Sequence, residues 1–235
     1  MENPSAPVVE TRQGALIGFT EGDTHVWCGI PYAAPPVGQW RWRSPRPPAR
    51  WDGVRPATAF SASSWQSSES CQELGGGDPG QFSEDCLYLN VWSPVARADP
   101  LPVMVWLHGG GFTLGAGGLP PYNGRALAKR GAVVVTINYR LGHLGFFAHP
   151  ALEGEEERVV HNFALLDQIQ ALEWVRDNIA AFGGDPENIT VFGESAGARS
   201  VLSLMASPLA RGLFHKAIVQ SGYTLPDTPR GQAMH

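Results

Sequence analysis

From about residue 87 to residue 220, short apolar runs alternate with amphipathic stretches. An apolar run of about four to eight residues between turn residues indicates a buried strand, and apolar positions three and four apart indicate a helix. This alternation predicts an α/β fold with a mostly parallel central sheet and helices on both faces. The predicted strands are 87–92, 101–107, 132–137, 189–192 and 217–220, and the predicted helices are 122–130, 165–182 and 196–205.

The first third of the chain has a different pattern. Residues 8–30 alternate between apolar and polar with glycine breaks, which predicts antiparallel edge strands. Residues 31–56 are rich in proline and aromatic residues, which predicts an irregular coil without helices. Residues 61–83 are rich in serine and glycine, and they predict a long polar loop of a kind that is often functional.

Composition limits the class of protein. A chain of 235 residues, 43% hydrophobic and 17% charged, is long enough for one sizeable core, at the upper end for a single domain. The net charge of −5 argues against nucleic acid or an anionic membrane surface as the main partner. No apolar run is long enough to span a bilayer, and residues 1–5 lack the features of a signal peptide. We therefore expect a cytoplasmic protein.

The three cysteines leave the compartment open. Cys71 and Cys86 flank part of the polar loop, and a disulfide between them would add about 3 kcal/mol of stability. A reducing cytosol would instead keep both as thiols, so secretion is not excluded. Cys28 is most simply a small buried residue. No Cys/His spacing suggests zinc, and the acidic cluster at 153–157 is interpreted as a solvated loop, so neither a metal nor a cofactor is expected.

Residues 193–197 read Gly-Glu-Ser-Ala-Gly, between a predicted strand and a predicted helix. A strand-to-helix elbow forces its central residue into a strained backbone conformation and exposes that side chain, and the flanking glycines avoid Cβ clashes. The following helix directs its free N–H groups at the same point. The motif is weak by itself, but in this context it predicts that Ser195 is a nucleophile.

A second motif follows the apolar run at 101–107. Residues 108–112 read His-Gly-Gly-Gly-Phe. Attack on an ester carbonyl places negative charge on oxygen, and backbone N–H groups reach that oxygen only where no side chain holds them away. Consecutive glycines after a buried strand therefore predict an oxyanion hole.

Together these motifs resemble the type-B carboxylesterases, the cholinesterase-like branch of the α/β-hydrolase fold. The resemblance covers nearly the whole chain, from about Gly14 to Gly222. The matching segments are 29–33 (GIPYA), 35–38 (PPVG), 84–91 (EDCLYLNV), 108–112 (HGGGF), 138–140 (NYR), 166–168 (LDQ), 182–186 (FGGDP), 193–197 (GESAG) and 220–222 (QSG).

The resemblance implies the parts of an ester hydrolase. Ser195 would be the nucleophile, and the backbone N–H groups of Gly110, Gly111 and Ala196 would form the oxyanion hole. Glu194 resembles a buried carboxylate that tunes the site, although a structural hydrogen-bonding role fits it equally well. The substrate would be a small-molecule ester.

Two structural pairs are also implied by the resemblance. Cys71 would pair with Cys86 in a disulfide. Glu84 would form a salt bridge with an arginine of the segment 41–43, for which Arg41 is our choice.

The rest of a catalytic triad is harder to find. In this fold the triad residues occur along the chain in the order Ser, then Asp or Glu, then His. The acidic residue follows the seventh strand, and the His follows the eighth. Counting 101–107 as the third strand makes 217–220 the sixth, so residues 1–235 correspond to the N-terminal portion of one domain without the last two core strands. Asp227 and His235 satisfy the order but lie on a proline-rich tail, and His215 is better interpreted as a structural or surface residue than as a base.

Three interpretations remain open at this point. The chain is a serine esterase that is catalytically incomplete as given, because a serine without a nearby imidazole is a poor nucleophile. Alternatively, a second polypeptide supplies the missing C-terminal half, as in a split enzyme. A non-catalytic fragment or binding module of the same fold is the third possibility, although the intact serine and glycine triplet favour an enzyme.

Overall fold

The computed structural model describes residues 6–96, 99–152 and 161–223. Two sheets contain the described strands. The strands are β1 (Val8–Glu10), β2 (Ala15–Ile17), β3 (Phe19–Glu21), β4 (Thr24–Pro31), β5 (Val54–Pro56), β6 (Tyr88–Pro94), β7 (Leu101–Leu107), β8 (Val133–Ile137), β9 (Gly184–Glu194) and β10 (Lys216–Gln220).

Five α-helices connect or flank these strands. They are α1 (Ser68–Glu73), α2 (Arg125–Ala128), α3 (Gly142–Gly145), α4 (Phe163–Asn178) and α5 (Ala196–Ala206). Single 3₁₀ turns lie at Gly38–Trp40, Pro120–Tyr122, Pro150–Leu152, Ile179–Phe182 and Pro208–Ala210.

The main sheet has seven strands in the order β10-β9-β7-β8-β6-β4-β3. Strands β10, β9, β7 and β8 run parallel to one another, and β6, β4 and β3 continue the sheet in antiparallel fashion. The parallel part is therefore as predicted, and the antiparallel strands lie at one edge. A separate small sheet has the order β1-β2-β5.

Helices cover both faces of the main sheet because its strands are apolar on both sides. Val103 and Val105 of β7 belong to the large core cluster, which also contains buried residues of α4 and α5. Val134 of β8 points the other way and packs with Ala128 of α2 in a second cluster. The period-2 alternation of side chains thus divides the core into two layers.

Several element predictions need correction. Residues 8–30 form two hairpins that belong to different sheets, because β1 and β2 pair in the small sheet whereas β3 and β4 pair in the main one. The predicted loop at 61–83 contains α1, whose first turn is capped by the Ser67 side chain accepting from the Ser70 N–H. The helix predicted at 122–130 is shorter, since α2 begins only after Asn123 and Gly124.

The helix predicted at 165–182 is α4 followed by a 3₁₀ turn. It starts two residues earlier than predicted, at Phe163, and the turn ends at Phe182. Gly183 ends it in the left-handed conformation, with φ of 82°, which glycine adopts without a Cβ penalty.

A buried ion pair joins α4 to the segment that follows β8. The Arg140 side chain donates to the Asp167 carboxylate from Nε at 2.8 Å and from Nη2 at 2.7 Å. The Arg140 backbone N–H donates to the same carboxylate. Both side chains are buried, at 2% and 0% exposure. Within the described ranges, no helix is long and apolar enough to cross a membrane.

Candidate active site

Ser195 lies between the end of β9 and the start of α5. Its φ of 54° and ψ of −117° are unfavourable for a residue with a Cβ atom. The Ser195 N–H donates to the Gln220 carbonyl of β10 at 3.0 Å, and the Ser195 carbonyl accepts from the Arg199 N–H at 3.0 Å. These bonds from the neighbouring strand and from the helix hold the strained turn in place.

The glycines on either side of Ser195 are required by close backbone contacts. A Cβ atom on Gly197 would lie 2.0 Å from the Leu107 carbonyl oxygen, and one on Gly193 would lie 2.5 Å from the Gly197 carbonyl carbon. No side chain fits at either distance. The elbow can therefore pack against the end of β7 only because both positions are glycine.

The segment after β7 lies directly against this elbow, since Leu107 pairs with Gly193 in the parallel ladder. A Cβ atom on Gly109 would lie 2.8 Å from Oε2 of Glu194 and 3.3 Å from Cβ of Ser195. Gly110 and Gly111 have φ of 101° and 62°, in the region that favours glycine. The two motifs found in the sequence are thus brought together by one strand pair.

Backbone N–H groups without a partner occur in the segments next to the serine. Among the described residues, the N–H groups of Gly110 and Gly111 have no hydrogen-bond partner. Ala196 is the first residue of α5, and the first N–H groups of a helix have no intrahelical acceptor. The positive end of the helix dipole points the same way. This arrangement can stabilise negative charge on an oxygen beside Ser195.

A cavity of about 410 Å³ opens at this point. It combines the serine and the glycine segment with apolar side chains and one carboxylate. Its lining residues are Cys71, Leu74, Gly76, Gly109, Gly110, Gly111, Thr113, Leu114, Leu119, Tyr122, Glu194 and Ser195.

Glu194 is exposed, so the expectation of a buried carboxylate is wrong for the described chain. Its side chain extends over Gly109 into the cavity rather than into the core, and no hydrogen bond to it is found among the described residues. The Glu194 charge affects a neighbouring side chain: the pKa of Tyr122 is raised, first by burial and then by this charge. The charge of Glu194 therefore influences Tyr122, another residue of the cavity lining.

Within the described part of the chain, the Ser195 hydroxyl has no hydrogen-bonded base. His215 has a structural role, as its position in the sequence suggested: its Nδ1 accepts from the Ile189 N–H at 3.2 Å, and its Nε2 lies 3.8 Å from Glu187. Asp227, His235 and the acidic cluster 153–157 lie outside the described residues. No cluster of three or more His, Cys, Asp or Glu side chains suited to a metal ion occurs in the described ranges.

Arg41 and Glu84 form the ion pair that the resemblance implied. Arg41 Nε and Nη2 each donate to a different oxygen of the Glu84 carboxylate at 2.6 Å. The hydrogen bonds and charge of Glu84 raise the pKa of the Arg41 guanidinium. The pair joins the proline-rich segment to the end of the 61–83 loop.

We expect the replacement of Arg41 by alanine to lower the free energy of unfolding only slightly, since the Arg41 side chain is 40% exposed and such pairs are weakened by solvent. Urea denaturation of Arg41→Ala and Arg41→Lys would measure this. Lysine cannot reproduce the bidentate geometry, so it should recover only part of the loss. A loss as large as that expected from breaking a buried ion pair would contradict the assignment of a solvent-weakened pair.

The expected disulfide between Cys71 and Cys86 is not formed, and all three cysteines are free and buried. Cys71 packs with Ala116 and Leu119 in a small cluster beside the cavity, whereas Cys86 lies in the main core. The two thiols therefore belong to different apolar clusters. Burial raises the pKa of Cys86 to about 12, which keeps this thiol protonated and unreactive.

His108 was not singled out in the sequence beyond its place in the glycine motif. The ring is fully buried and stacks on Tyr139 with centroids 4.3 Å apart. Nδ1 lies 2.9 Å from the Gly109 carbonyl oxygen, and Nε2 is buried without a partner. Burial lowers the pKa of His108 to about 4. The imidazole is therefore neutral at pH 7.

This shift makes stability dependent on pH. In the unfolded chain His108 takes up a proton near its ordinary pKa of 6.5, whereas in the folded chain it does so only near 4. The contribution of neutral His108 to the free energy of unfolding is therefore fully present above pH 6.5. It is lost as the pH drops toward 4, and the loss is about 3 kcal/mol at most. Thermal melts across this range should show the slope, and His108→Phe should lack this component.

Comparison with known proteins gives the family of the chain. A family model described as "Carboxylesterase family" matches residues 5–230. Para-nitrobenzyl esterase of Bacillus subtilis (strain 168) is 53% identical over 216 residues, which are 92% of this chain and 43% of that protein. Fumonisin B1 esterase of Sphingopyxis macrogoltabida is 51% identical over 217 residues, which are 91% of this chain and 39% of that protein.

Solved structures give the same result. A thermophilic PNB esterase superposes with a TM-score of 0.90 at 48% identity, covering 97% of this chain and 47% of that one. A carboxylesterase of Geobacillus stearothermophilus superposes with a TM-score of 0.83 at 50% identity, covering 92% and 43%. This confirms the predicted α/β-hydrolase fold, and the chain spans less than half the length of these relatives. The match over residues 5–230, together with a relative that is 53% identical over 92% of this chain, shows that the chain belongs to the carboxylesterase family.

Proposed function

We propose that this chain carries the nucleophile and the oxyanion hole of a serine carboxylesterase. The observation that supports this most directly is the strained backbone of Ser195, next to the unpaired N–H groups of Gly110 and Gly111. Strain of this kind persists only where the surrounding structure enforces it, and it is concentrated at functional sites. A serine in an ordinary glycine-rich turn would need neither feature.

The reaction would proceed through an acyl-enzyme. The Ser195 Oγ attacks the ester carbonyl carbon, and the carbonyl oxygen takes the negative charge while accepting from the N–H groups of Gly110, Gly111 and Ala196. The carbon–oxygen bond to the alcohol then breaks, and the alcohol leaves with the proton that the serine lost. Water attacks the acyl group in the second half, releases the carboxylic acid and restores the serine hydroxyl.

Both steps need a general base, which accepts the proton of Ser195 in the first step and a proton of the attacking water in the second. We propose that a His and an acidic residue outside the described ranges supply this function, either from the same polypeptide or from a second one. Strand β10 is an edge strand of the main sheet as far as the chain is described, and its Ile218 and Val219 side chains are 43% and 39% exposed, which supports an attachment point there. An unpaired strand edge with apolar side chains is a template for further strands.

The proposed substrate is a small carboxylic ester. The relatives include a para-nitrobenzyl esterase and a phenmedipham hydrolase, and the cavity beside Ser195 has a mixed apolar and polar lining. Glu194 places a negative charge at this cavity, which disfavours anionic esters. A reducing cytoplasmic compartment is our proposal for its location, supported by the three free thiols.

Covalent labelling tests the proposal. The chain would be incubated with an aryl phosphonate ester, and the modified residue would be located by mass spectrometry of a proteolytic digest. Phosphonylation at Ser195, lost in Ser195→Ala, is the expected result. The Ser207→Ala variant is the matched control, because Ser207 lies at the other end of α5. Absence of label at Ser195, with and without added C-terminal half, would refute the nucleophile.

The same preparation separates the alternatives. If the chain alone hydrolyses a simple aryl ester at an enzyme-like rate, it does not need a second polypeptide. If hydrolysis appears only after a separately expressed C-terminal half is added, the split-enzyme interpretation is supported. If neither preparation is active although Ser195 is intact, the non-catalytic binding module is the correct interpretation.

A further inference from the structure

His108 is the polar side chain of the glycine motif, and the proposed mechanism has no use for it. It lies at the end of β7, where the chain turns toward Gly109, and it is fully buried. A buried imidazole with an unpartnered Nε2 is unfavourable, since buried polar atoms normally have partners. A hydrophobic residue of similar size would avoid this cost, so the ring requires an explanation.

The hydrogen bond of the ring defines its protonation state. A carbonyl oxygen can only accept, so the 2.9 Å contact between Nδ1 and the Gly109 oxygen requires the proton on Nδ1. Nε2 is then the unprotonated nitrogen, which agrees with its lack of a partner. The bond is between adjacent residues, and it therefore constrains the one peptide group that follows Gly109.

The geometry of that peptide group carries the constraint to the oxyanion hole. No cis peptide bond occurs among the described residues, and in a trans peptide the carbonyl and the following N–H point in opposite directions. Because His108 holds the Gly109 carbonyl on its own side, the Gly110 N–H must point away from the ring. Gly110 lines the cavity that contains Ser195.

Two neighbours hold the ring in this orientation. The Tyr139 ring stacks on it, and the Tyr139 hydroxyl donates to the His108 carbonyl oxygen at 2.6 Å. On another side, a Cβ atom on Gly115 would lie 2.3 Å from Nδ1, so the Gly115 backbone packs directly against the hydrogen-bonding edge. The two consecutive carbonyls of His108 and Gly109 are therefore both held by donors.

We infer that His108 is a positioning residue, which fixes the direction of the Gly110 N–H in the oxyanion hole by donating from Nδ1 to the Gly109 carbonyl. This inference rests on the proposed function for its catalytic consequence. The structural part of the inference is that a protonated Nδ1 orients one peptide group, and this part does not depend on catalysis. His108 itself touches neither the substrate nor Ser195.

Two variants separate the donor from the ring. His108→Phe keeps a ring that can stack on Tyr139 but removes the donor. His108→Asn loses the ring but keeps an N–H donor close to the position of Nδ1. If His108 served only to fill space, the phenylalanine variant would keep more of the labelling rate of Ser195 than the asparagine variant. If the hydrogen-bond donor matters, the asparagine variant should keep more of this rate, although it leaves a larger void.

The kinetic test uses saturable phosphonylation of Ser195 by an aryl phosphonate ester, whose phosphoryl oxygen occupies the oxyanion position. For His108→Phe we expect the maximal labelling rate to fall about 100-fold, the order of losing one oxyanion donor, with little change in the half-saturating concentration. His108→Asn should recover most of the rate. Unchanged labelling in His108→Phe, or equal losses in both variants, would overturn the inference.

A nuclear magnetic resonance experiment keeps the inference testable if the wild-type chain is not labelled. In protein containing [¹⁵N]histidine, the Nδ1 of His108 should show a one-bond ¹⁵N–¹H coupling and Nε2 should not. The Gly110 amide resonance should shift in His108→Phe and return toward its original position in His108→Asn. A proton on Nε2 would overturn the inference, whereas a failure of labelling alone would count against the proposed function.

Discussion

Replacing Gly197 by alanine is expected to disrupt the elbow and to abolish labelling of Ser195. The new Cβ atom would lie 2.0 Å from the Leu107 carbonyl oxygen, and that atom belongs to the backbone of a central strand. Neither the strand nor α5 can shift without breaking hydrogen bonds. We expect a loss of about 3 kcal/mol or more in the free energy of unfolding, at the upper end for overpacked sites. Urea denaturation measures it.

The matched control is on the same helix. Met205 is 59% exposed near the end of α5, so Met205→Ala should change stability by less than about 0.5 kcal/mol and leave labelling intact. A Gly197→Ala variant as stable as Met205→Ala would show that β7 and α5 are not in the close contact described here.

The second large effect is expected at the buried ion pair. Asp167→Ala would leave the Arg140 guanidinium buried, at 2% exposure, without its carboxylate. An unpaired buried charge costs about 3–5 kcal/mol. Chemical denaturation should therefore show a loss of that size. The double variant Arg140→Met/Asp167→Leu removes both charges and should recover much of the stability.

Helix α4 provides a control for this prediction. Asp177, on the same helix, pairs with Arg12 at 2.7 Å, but Arg12 is 63% exposed. Asp177→Ala should therefore cost about 1 kcal/mol or less. Equal losses from Asp167→Ala and Asp177→Ala would mean that burial does not control the strength of these pairs.

The elbow and the glycine motif could be predicted because their chemistry is local. Residues 193–197 and 108–112 each follow an apolar strand, and parallel neighbouring strands bring their ends to the same edge of a sheet. The structure places both at one cavity. The same local logic predicted α4, since its apolar spacing and the Gly183 stop are visible in the sequence.

Features that depend on tertiary packing were not predictable. The burial of Cys71 and Cys86 in different clusters depends on where the 61–83 segment folds back, which their spacing does not reveal. Helix α1 was missed because six residues give too little periodicity. The exposure of Glu194 depends on its orientation at the end of β9, which no sequence pattern encodes.

The backbone conformation of Ser195 favours glycine for stability, whereas the proposed reaction requires a hydroxyl group at the same position. With φ of 54° and ψ of −117°, glycine would occupy this turn with less strain, yet glycine has no hydroxyl. A lineage that lost the need for hydrolysis would therefore be expected to drift toward glycine here and to gain thermal robustness. Serine at this turn therefore carries a cost in stability that the proposed role of its hydroxyl group would offset.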